Sequence, residues 1–543
     1  MNSDLQLKNK RVLVVDDLVE ARSAMKSMMA MLGAENVETA RDGREATDMI
    51  MEKDYDLVLS DYNLGKGKDG QQVLEEARHT NRLKATSVFI IVTGENAVDK
   101  VMGALEHEPD GYLTKPYTLS ILRERLTRLM VIKDTLKPIN QAIDLGDIDW
   151  AISMAHNIIQ ENPAYLLPAS RILGKLHLQR QEYSEALEAY NTVLEQRPAI
   201  WARLGQAVCV YHLGDPDKAA TLLREILIDH PLYVQCHDWL ARIMLEKEKK
   251  KEAQQELQAA VAISPRGVLR QIELGRLAVE NDDHQVAQTA FEQAMRLGRH
   301  SCYKSSENYM NFIKALQHNL GNSDGKDNKI LCSKAMRALD EVKQEYAGHN
   351  SVIFDANIAE SHTYHMVKDK QRSRTSADKA EEMLTRIKDP TCEQQIQMTE
   401  IYVDTEQMDK AKDMLAVIRE REVPSDLLNR LDLIKQQVEG TNSSYSAELN
   451  TRGVGFYEKG KYAEAIAAFD EATKYDQAGA SVLLNSIQAK VSYIETQQMD
   501  LKQLKDCYRL FRRIGTIGQE DERYGRYEKL RDSCERLRRS AGI

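Results

Sequence analysis

The feature that most constrains the fold is a spacing of about 34 residues that recurs after residue 130. Four prolines follow one another at separations of 35, 33 and 34 residues: Pro163, Pro198, Pro231 and Pro265. An alanine stands twelve residues before each of them: Ala151, Ala186, Ala219 and Ala253. Self-similarity at this period indicates stacked copies of one helix pair rather than a single hydrophobic core.

The same register fixes residue size at two further places. The alanine series continues to Ala287, and small residues stand twelve positions before its last four members: Gly174, Ala207, Ala241 and Gly275. Larger apolar residues stand four positions after the same four alanines: Tyr190, Leu223, Leu257 and Phe291. Small residues let two helices approach closely, larger ones fill the gap, and proline ends the second helix. Residues 168–300 therefore resemble four tetratricopeptide repeats, which implies an all-α solenoid with a protein-binding surface.

The repeat pattern weakens and then returns towards the C-terminus. Residues 131–167 suit a linker helix with a degenerate capping repeat, and residues 301–440 keep helical periodicity without the motif, as in divergent repeats. Gly453, Ala465 and Phe469 restore the small, small, aromatic order, so we expect further repeats over 441–500. Turn-forming residues at 321–327 and 440–446 predict an exposed loop and a break.

The first 130 residues follow a different rule. Apolar, β-branched runs at 11–15, 56–60, 87–92 and 111–114 alternate with helical patterns, which is typical of βαβ units in a parallel sheet. Polar residues end these runs: Asp16, Asp17, Asp61, Thr93 and Lys115. Because the carboxyl ends of parallel strands meet at one edge of a sheet, we expect these side chains to gather there.

Three acids, a hydroxyl and a lysine suit phosphoryl transfer to a carboxylate. Clustered carboxylates bind Mg²⁺, one of them attacks as the nucleophile, and the lysine and hydroxyl contact phosphoryl oxygens. Here residues 9–130 resemble the receiver domain of bacterial response regulators, because Asp16, Asp17, Asp61, Thr93 and Lys115 stand at that family's places in order. The expected fold is a doubly wound, flavodoxin-like α/β domain followed by the all-α repeat solenoid.

The resemblance implies a role for each residue. Asp61 is the expected phosphoacceptor, with Asp16, Asp17, Asp61 and the Asn63 backbone carbonyl as the Mg²⁺ ligands. Thr93 and Lys115 are expected to contact the phosphoryl group, and Tyr112 to turn inward on activation. Asn63 and Glu95 stand where receivers tune hydrolysis of the acyl phosphate.

Composition limits the remaining classes of function. The net charge of −10 argues against a protein that coats nucleic acid. Seven cysteines are scattered without a C-x-x-C spacing, which fits a reducing cytoplasm better than disulfides or a zinc site. No apolar run approaches the roughly 20 residues of a membrane helix. We expect a cytoplasmic protein with no membrane partner and no enzymatic output beyond phosphoryl transfer and hydrolysis in its own receiver.

The combination predicts a phosphorylation-controlled adaptor. A histidine kinase would phosphorylate Asp61, and movement of the face formed by residues 97–130 would alter binding of an unidentified protein to the repeats or assemble a homodimer. Two alternatives remain open. One is a transcriptional regulator that binds nucleic acid through the basic segment 501–543, although a solvated helix face is the favoured interpretation of that segment. The other is a phosphate sink or scaffold for the kinase.

Overall fold

The computed structural model describes residues 7–94, 109–321, 325–474, 479–497, 500–518 and 520–541, with backbone alone at 321, 325–326 and 439–445. The chain divides into two compact units, residues 1–345 and residues 346–543. Within the described ranges, no helix combines the length and apolar character needed to cross a membrane.

Five parallel strands form one sheet in the order β2-β1-β3-β4-β5. Their bounds are β1 Arg11–Val15, β2 Asn36–Ala40, β3 Leu57–Asp61, β4 Val88–Thr93 and β5 Gly111–Thr114. β3 and β4 are buried at every position, as expected for aliphatic runs covered by helices on both faces. The predicted doubly wound α/β fold is confirmed.

β2 has no counterpart among the four strands predicted from the sequence. Its residues Asn-Val-Glu-Thr-Ala are mostly polar and it lies at the edge of the sheet, where only Ala40 is fully buried. β2 therefore lacks the run of apolar residues by which the other strands were predicted. The β-branched residues Val37 and Thr39, with the polar Glu38 between them, were the available signal.

Four described helices flank the sheet: α1 Val19–Met31, α2 Gly43–Glu52, α3 Gly70–His79 and α4 Leu119–Thr135. α1 and α4 cover one face of the sheet, in a core that includes Met25 and Leu122. α2 and α3 cover the other face, in a core that includes Ile50 and Leu74. The domain therefore has two cores, one on each face of the sheet.

Helix pairs follow α4 within the same unit, and consecutive helices pack against each other. They are α5 Lys137–Asp144, α6 Ile148–Glu161, α7 Leu166–Gln179, α8 Tyr183–Gln196, α9 Ile200–His212, α10 Pro216–Asp229, α11 Val234–Glu246, α12 Lys250–Ile263, α13 Val268–Glu280, α14 His284–Gly298, α15 Ser306–Gly321 and α16 Gly325–Glu345. A short 3₁₀ turn, Pro163–Tyr165, separates α6 from α7.

The repeat positions lie in the contacts between paired helices. Ala186, Ala207, Ala219, Ala241, Ala253 and Ala287 are all at most 1% exposed. An ideal Cβ on Gly174 would lie 2.5 Å from the ring of Tyr190, and one on Gly275 would lie 2.6 Å from the ring of Phe291. Each glycine therefore admits an aromatic ring sixteen residues further on.

The second unit is also built from packed helices. They are α17 Asn350–Met366, α18 Lys370–Arg386, α19 Cys392–Asp404, α20 Met408–Arg419, α21 Leu428–Glu458, α22 Tyr462–Ala472, α23 Ala480–Thr496, α24 Leu501–Ile514 and α25 Tyr524–Ser540. A short 3₁₀ turn, Ser425–Leu427, precedes α21. An ideal Cβ on Gly453 would lie 2.6 Å from the ring of Phe469, and Ala465 is fully buried. The same close approach of helices thus returns in this unit.

The two breaks predicted from turn-forming residues need correction. α21 runs without interruption through 440–446, so the break predicted there was wrong. Val438 and Leu449 are buried on either side, and burial outweighs the weak helix propensity of the Gly, Asn and Ser residues between them. In the predicted loop at 321–327, residues 325–327 are helical, while 322–324 lie outside the described residues.

Candidate phosphoacceptor site

The carboxyl edge of the sheet brings together side chains that are distant in sequence. β1 ends directly before Asp16 and Asp17, and β3 ends with Asp61. Thr93 is the last residue of β4, and Lys115 follows β5. Since β1, β3, β4 and β5 are neighbours in the sheet, all five residues lie along one edge.

Lys115 joins two of the carboxylates. Its Nζ lies 2.8 Å from Asp16 Oδ2 and 2.8 Å from Asp61 Oδ1. Asp16 is fully buried and Asp61 is 8% exposed, so the repulsion between them is poorly screened by water. The second oxygen of Asp16 accepts a hydrogen bond from the Leu18 amide at 2.9 Å. The lysine therefore lets two acids occupy one small space.

Burial and this ion pair act in opposite directions on the titration of the site. Burial raises the pKa of Asp61 above its ordinary value, and hydrogen bonding to Lys115 offsets part of that rise. Burial lowers the pKa of Lys115, but its hydrogen bonds to Asp16 and Asp61 outweigh burial and leave the pKa raised. The ammonium group is consequently charged at neutral pH.

The convergence of Asp16 and Asp61 on one ammonium group shows that a cation fits between their oxygens. Asp17 is exposed beside them, and its Oδ2 lies 3.2 Å from the ideal Cβ position of Gly65, which has φ +76°. Oxygen donors of this kind suit Mg²⁺. Over the part of the chain that is described, no three His, Cys, Asp or Glu side chains already converge as a complete metal site.

Of the other predicted residues, Asn63 contacts this group directly. Thr93 is 7% exposed, and the Asn63 amide donates to Asp61 Oδ2 at 3.3 Å. Tyr112 is half-buried on β5, where it packs against the core shared with α2 and α3. Glu95 and residues 97–108 of the predicted switching face lie outside the described residues.

The start of α3 is held tightly against Asp61. The Gly70 amide donates to the Tyr62 carbonyl at 3.0 Å, and an ideal Cβ on Gly70 would lie only 2.2 Å from the Asp61 carbonyl oxygen. Asp69 and Gln72 form a reciprocal capping box at this helix end. The spacing of Asp69 and Gln72 in the sequence was a signal for that cap, which was not among the predictions.

The receiver-like domain also contacts the repeats, among other places, at Asp144 and at Arg266. The Asp144 carboxylate in α5 accepts hydrogen bonds from the Ala85 amide at 2.6 Å and from the Thr86 hydroxyl at 2.8 Å. Arg266, between α12 and α13, donates to the Tyr62 hydroxyl at 3.0 Å and to Asp69 Oδ2 at 2.5 Å. Neither contact was predicted from the sequence, because each joins loops or helix ends that are far apart in the chain.

The N-terminal structure is thus an α/β domain with three acids, and a lysine that pairs with two of them, at the carboxyl edge of its sheet. Residues 12–127 match the family described as response regulator receiver domain, and residues 172–234 and 211–268 match tetratricopeptide repeat. The chain therefore belongs to the response regulator receiver family, with tetratricopeptide repeats following the receiver domain.

Three proteins of known name are similar to the N-terminal domain of this chain. Chemotaxis protein CheY-3 of Vibrio cholerae is 33% identical over 122 residues, which are 22% of this chain and 92% of that protein. Chemotaxis protein CheY of Pseudomonas aeruginosa is 31% identical over 119 residues, which are 22% of this chain and 94% of that protein. A solved structure of the response regulator TrrA from Thermotoga maritima, in complex with Mg²⁺ and BeF, is 28% identical with a TM-score of 0.20, and the match covers 22% of this chain and 98% of that one.

Proposed function

We propose that this protein is a phosphorylation-controlled adaptor, in which Asp61 accepts a phosphoryl group and the repeats bind a protein partner. The observation that carries the proposal is the placement of Lys115 Nζ 2.8 Å from both Asp16 and Asp61 at the carboxyl edge of the sheet. A buried nucleophilic carboxylate beside a charged lysine is the arrangement that transfer of a phosphoryl group requires.

Each residue of the site has a distinct task in this proposal. An Asp61 oxygen bonds to phosphorus while the P–N bond of a kinase phosphohistidine breaks, and the imidazole leaves with the electron pair. Lys115 and the Thr93 hydroxyl contact the phosphoryl oxygens. Asp16, Asp17, Asp61 and the Asn63 carbonyl would hold Mg²⁺, which supplies positive charge to the phosphoryl oxygens when it is bound.

The other predicted residues adjust the response. Tyr112 turns inward when Thr93 moves, and the side chains of Asn63 and Glu95 tune hydrolysis of the acyl phosphate. Phosphorylation adds a charge of about −1.5 to −2 at Asp61. A histidine kinase is the phosphodonor, and the repeat surface takes the partner, either a different protein or a second copy of this chain.

The basic segment 501–543 gives weaker support to a role in binding nucleic acid. Four of its arginines form ion pairs with acids two or three residues away: Arg509 with Asp506, Arg523 with Asp521, Arg531 with Glu528, and Arg538 with Glu535. An arginine that already pairs with a nearby acid is less available to a phosphate group than an arginine on a continuous basic face. These pairs favour a solvated helix surface and so favour the adaptor.

The test is phosphorylation of the full chain by acetyl phosphate in Mg²⁺, with the modified residue located by mass spectrometry. We expect labelling of wild type and none of Asp61→Asn, which keeps the shape of the side chain. Asp54→Asn is the matched control, because Asp54 is an exposed aspartate that pairs with Lys84 away from the site. Full labelling of Asp61→Asn, or labelling at another residue, would show that the acceptor is misassigned.

A further inference from the structure

Arg266 connects the repeats to the residue that follows the phosphoacceptor. Its guanidinium donates to the Tyr62 hydroxyl at 3.0 Å and to Asp69 Oδ2 at 2.5 Å, and its Cζ lies 5.4 Å from the centre of the Tyr62 ring. Tyr62 directly follows Asp61, and Asp69 caps α3. One side chain of the repeats thus contacts both ends of the loop 62–69, which borders the site.

Packing within the repeats does not account for an arginine at this position. Arg266 follows the repeat-ending Pro265, whereas small or aliphatic residues follow the other three prolines: Ala164, Ala199 and Leu232. The loop that carries Arg266 is also fixed from within the repeats. Gln271 Nε2 donates to the Pro265 carbonyl at 2.9 Å, which anchors the loop to α13. The anchored loop therefore holds the Arg266 backbone in place, and its side chain contacts the receiver.

Two neighbouring contacts extend this surface along α3. Gln72 Nε2 donates to the Leu297 carbonyl at the end of α14, at 3.1 Å. The ring of His79 packs edge-on against that of Tyr303, with 5.6 Å between ring centres. The contact thus follows the whole length of α3 and involves the last of the four regular repeats. It lies on a different side of the receiver from the α4 helix that continues into the solenoid.

We propose that this contact, which we name the Arg266 clasp, holds the receiver on the repeats while Asp61 is unphosphorylated and opens when Asp61 is phosphorylated. The inference rests on the proposed function and specifies how the repeats are regulated. Its partner surface is the receiver of the same chain, and opening exposes residues 266, 297 and 303 of the repeats.

The bonding around Tyr62 explains the direction of the effect. The Tyr62 amide donates to the Val92 carbonyl at 2.7 Å, and the Tyr62 carbonyl accepts from Gly70 at 3.0 Å, so this residue moves together with the sheet edge and α3. The Asn63 amide bonds to Asp61 Oδ2, an acceptor that a phosphoryl group alters. The loop 62–69 must then change its conformation. The Arg266 clasp, in contrast, matches the conformation that this loop has beside an unmodified Asp61.

Thermodynamic linkage makes the coupling between the Arg266 clasp and phosphorylation measurable. If phosphorylation opens the clasp, then weakening the clasp must make the phosphorylated geometry easier to reach by the same factor. Arg266→Ala removes the clasp from the side of the repeats. Asp69→Asn removes the charge from the side of the receiver and keeps an oxygen that can cap α3. Arg276→Ala is the control, because Arg276 pairs with the exposed Glu307 inside the repeats.

The experiment titrates each full-length variant with beryllium fluoride in Mg²⁺ and measures the bound fraction by fluorine-19 NMR. We expect Arg266→Ala and Asp69→Asn to bind about fivefold more tightly than wild type, within the usual range of such couplings. Arg276→Ala should match wild type. Equal affinities for all four proteins, or weaker binding by both clasp variants, would overturn the clasp.

The two proposals fail in different ways. If wild type binds no beryllium fluoride in Mg²⁺, the receiver function itself is wrong and the clasp falls with it. If wild type binds and Asp61→Asn does not, the receiver function stands, and the comparison of the clasp variants then decides the coupling alone. A double variant, Arg266→Ala with Asp69→Asn, should gain no more affinity than either single variant, because both remove the same contact.

Discussion

The close approach of helices in the repeats can be tested by two glycines in one helix. Gly453 and Gly455 both lie in α21. An ideal Cβ on Gly453 would lie 2.6, 2.7 and 2.9 Å from three ring atoms of Phe469, which is 1% exposed. The same atom on Gly455 would meet nothing within 4 Å. Gly453→Ala and Gly455→Ala therefore make the same chemical change in a filled and in an open environment.

Glycine to alanine in a helix interior ordinarily stabilises by about 1 kcal/mol. Gly455→Ala should show that gain. In Gly453→Ala the new methyl group must displace the Phe469 ring, and overpacking of this kind costs about 1–3 kcal/mol. Because the helix propensity change is common to both variants, their difference isolates the overpacking, and it should be about 1–3 kcal/mol in favour of Gly455→Ala.

The assay is native-state hydrogen exchange of α22 in the full chain, since a protein of several units gives no single unfolding free energy. A difference of 1–3 kcal/mol corresponds to exchange about 5- to 150-fold faster in Gly453→Ala than in Gly455→Ala. Equal protection of α22 in the two variants would refute the reasoning that glycine at this repeat position makes room for an aromatic ring.

Two further predictions concern buried ionisable groups. In Mg²⁺-free buffer, Lys115→Met should destabilise the receiver by about 1–3 kcal/mol at pH 7, less than for a fully buried pair because the lysine is partly exposed. The raised pKa of Asp61 favours its protonated form in the folded state, so the loss of stability caused by Lys115→Met should shrink as the pH falls towards 5. Hydrogen exchange of β3 measures this loss. A loss that grows as the pH falls would contradict the pairing of Lys115 with an ionised Asp61. Burial raises the pKa of Cys209 and of Cys236 to about 12, so both thiols should resist iodoacetamide at pH 8 while the half-buried Cys392 reacts, as peptide mass mapping would show; early modification of Cys209 or Cys236 would contradict their burial.

The sequence reveals those parts of the fold that rest on local pattern. The apolar strands and the acids that end them follow from runs of β-branched residues, and the repeats follow from a period that packing imposes on each helix pair. β2 was missed because an edge strand needs few apolar residues. The predicted break at 440–446 was wrong because burial on both sides of it determines the helix, and propensity alone cannot report that.

Contacts between distant segments are the part of the site that the sequence does not predict. Lys115 could be placed with Asp16 and Asp61 because parallel strands share one edge, which is a rule of topology. Arg266 is 197 residues from Asp69, and no periodicity relates a loop between repeats to the start of α3. Only an unexpected arginine after Pro265, where the other repeats have small or aliphatic residues, distinguished it in the sequence.

Control of the repeats by the state of Asp61 can be tested by hydrogen exchange of the full chain with and without Mg²⁺ and beryllium fluoride. Asp61→Asn under both conditions is the control. Our account predicts that wild type loses protection at 264–305 as well as changing at 57–80, while Asp61→Asn changes in neither segment. A change in wild type that stays within the receiver, with 264–305 unaltered, would contradict control of the repeats by Asp61.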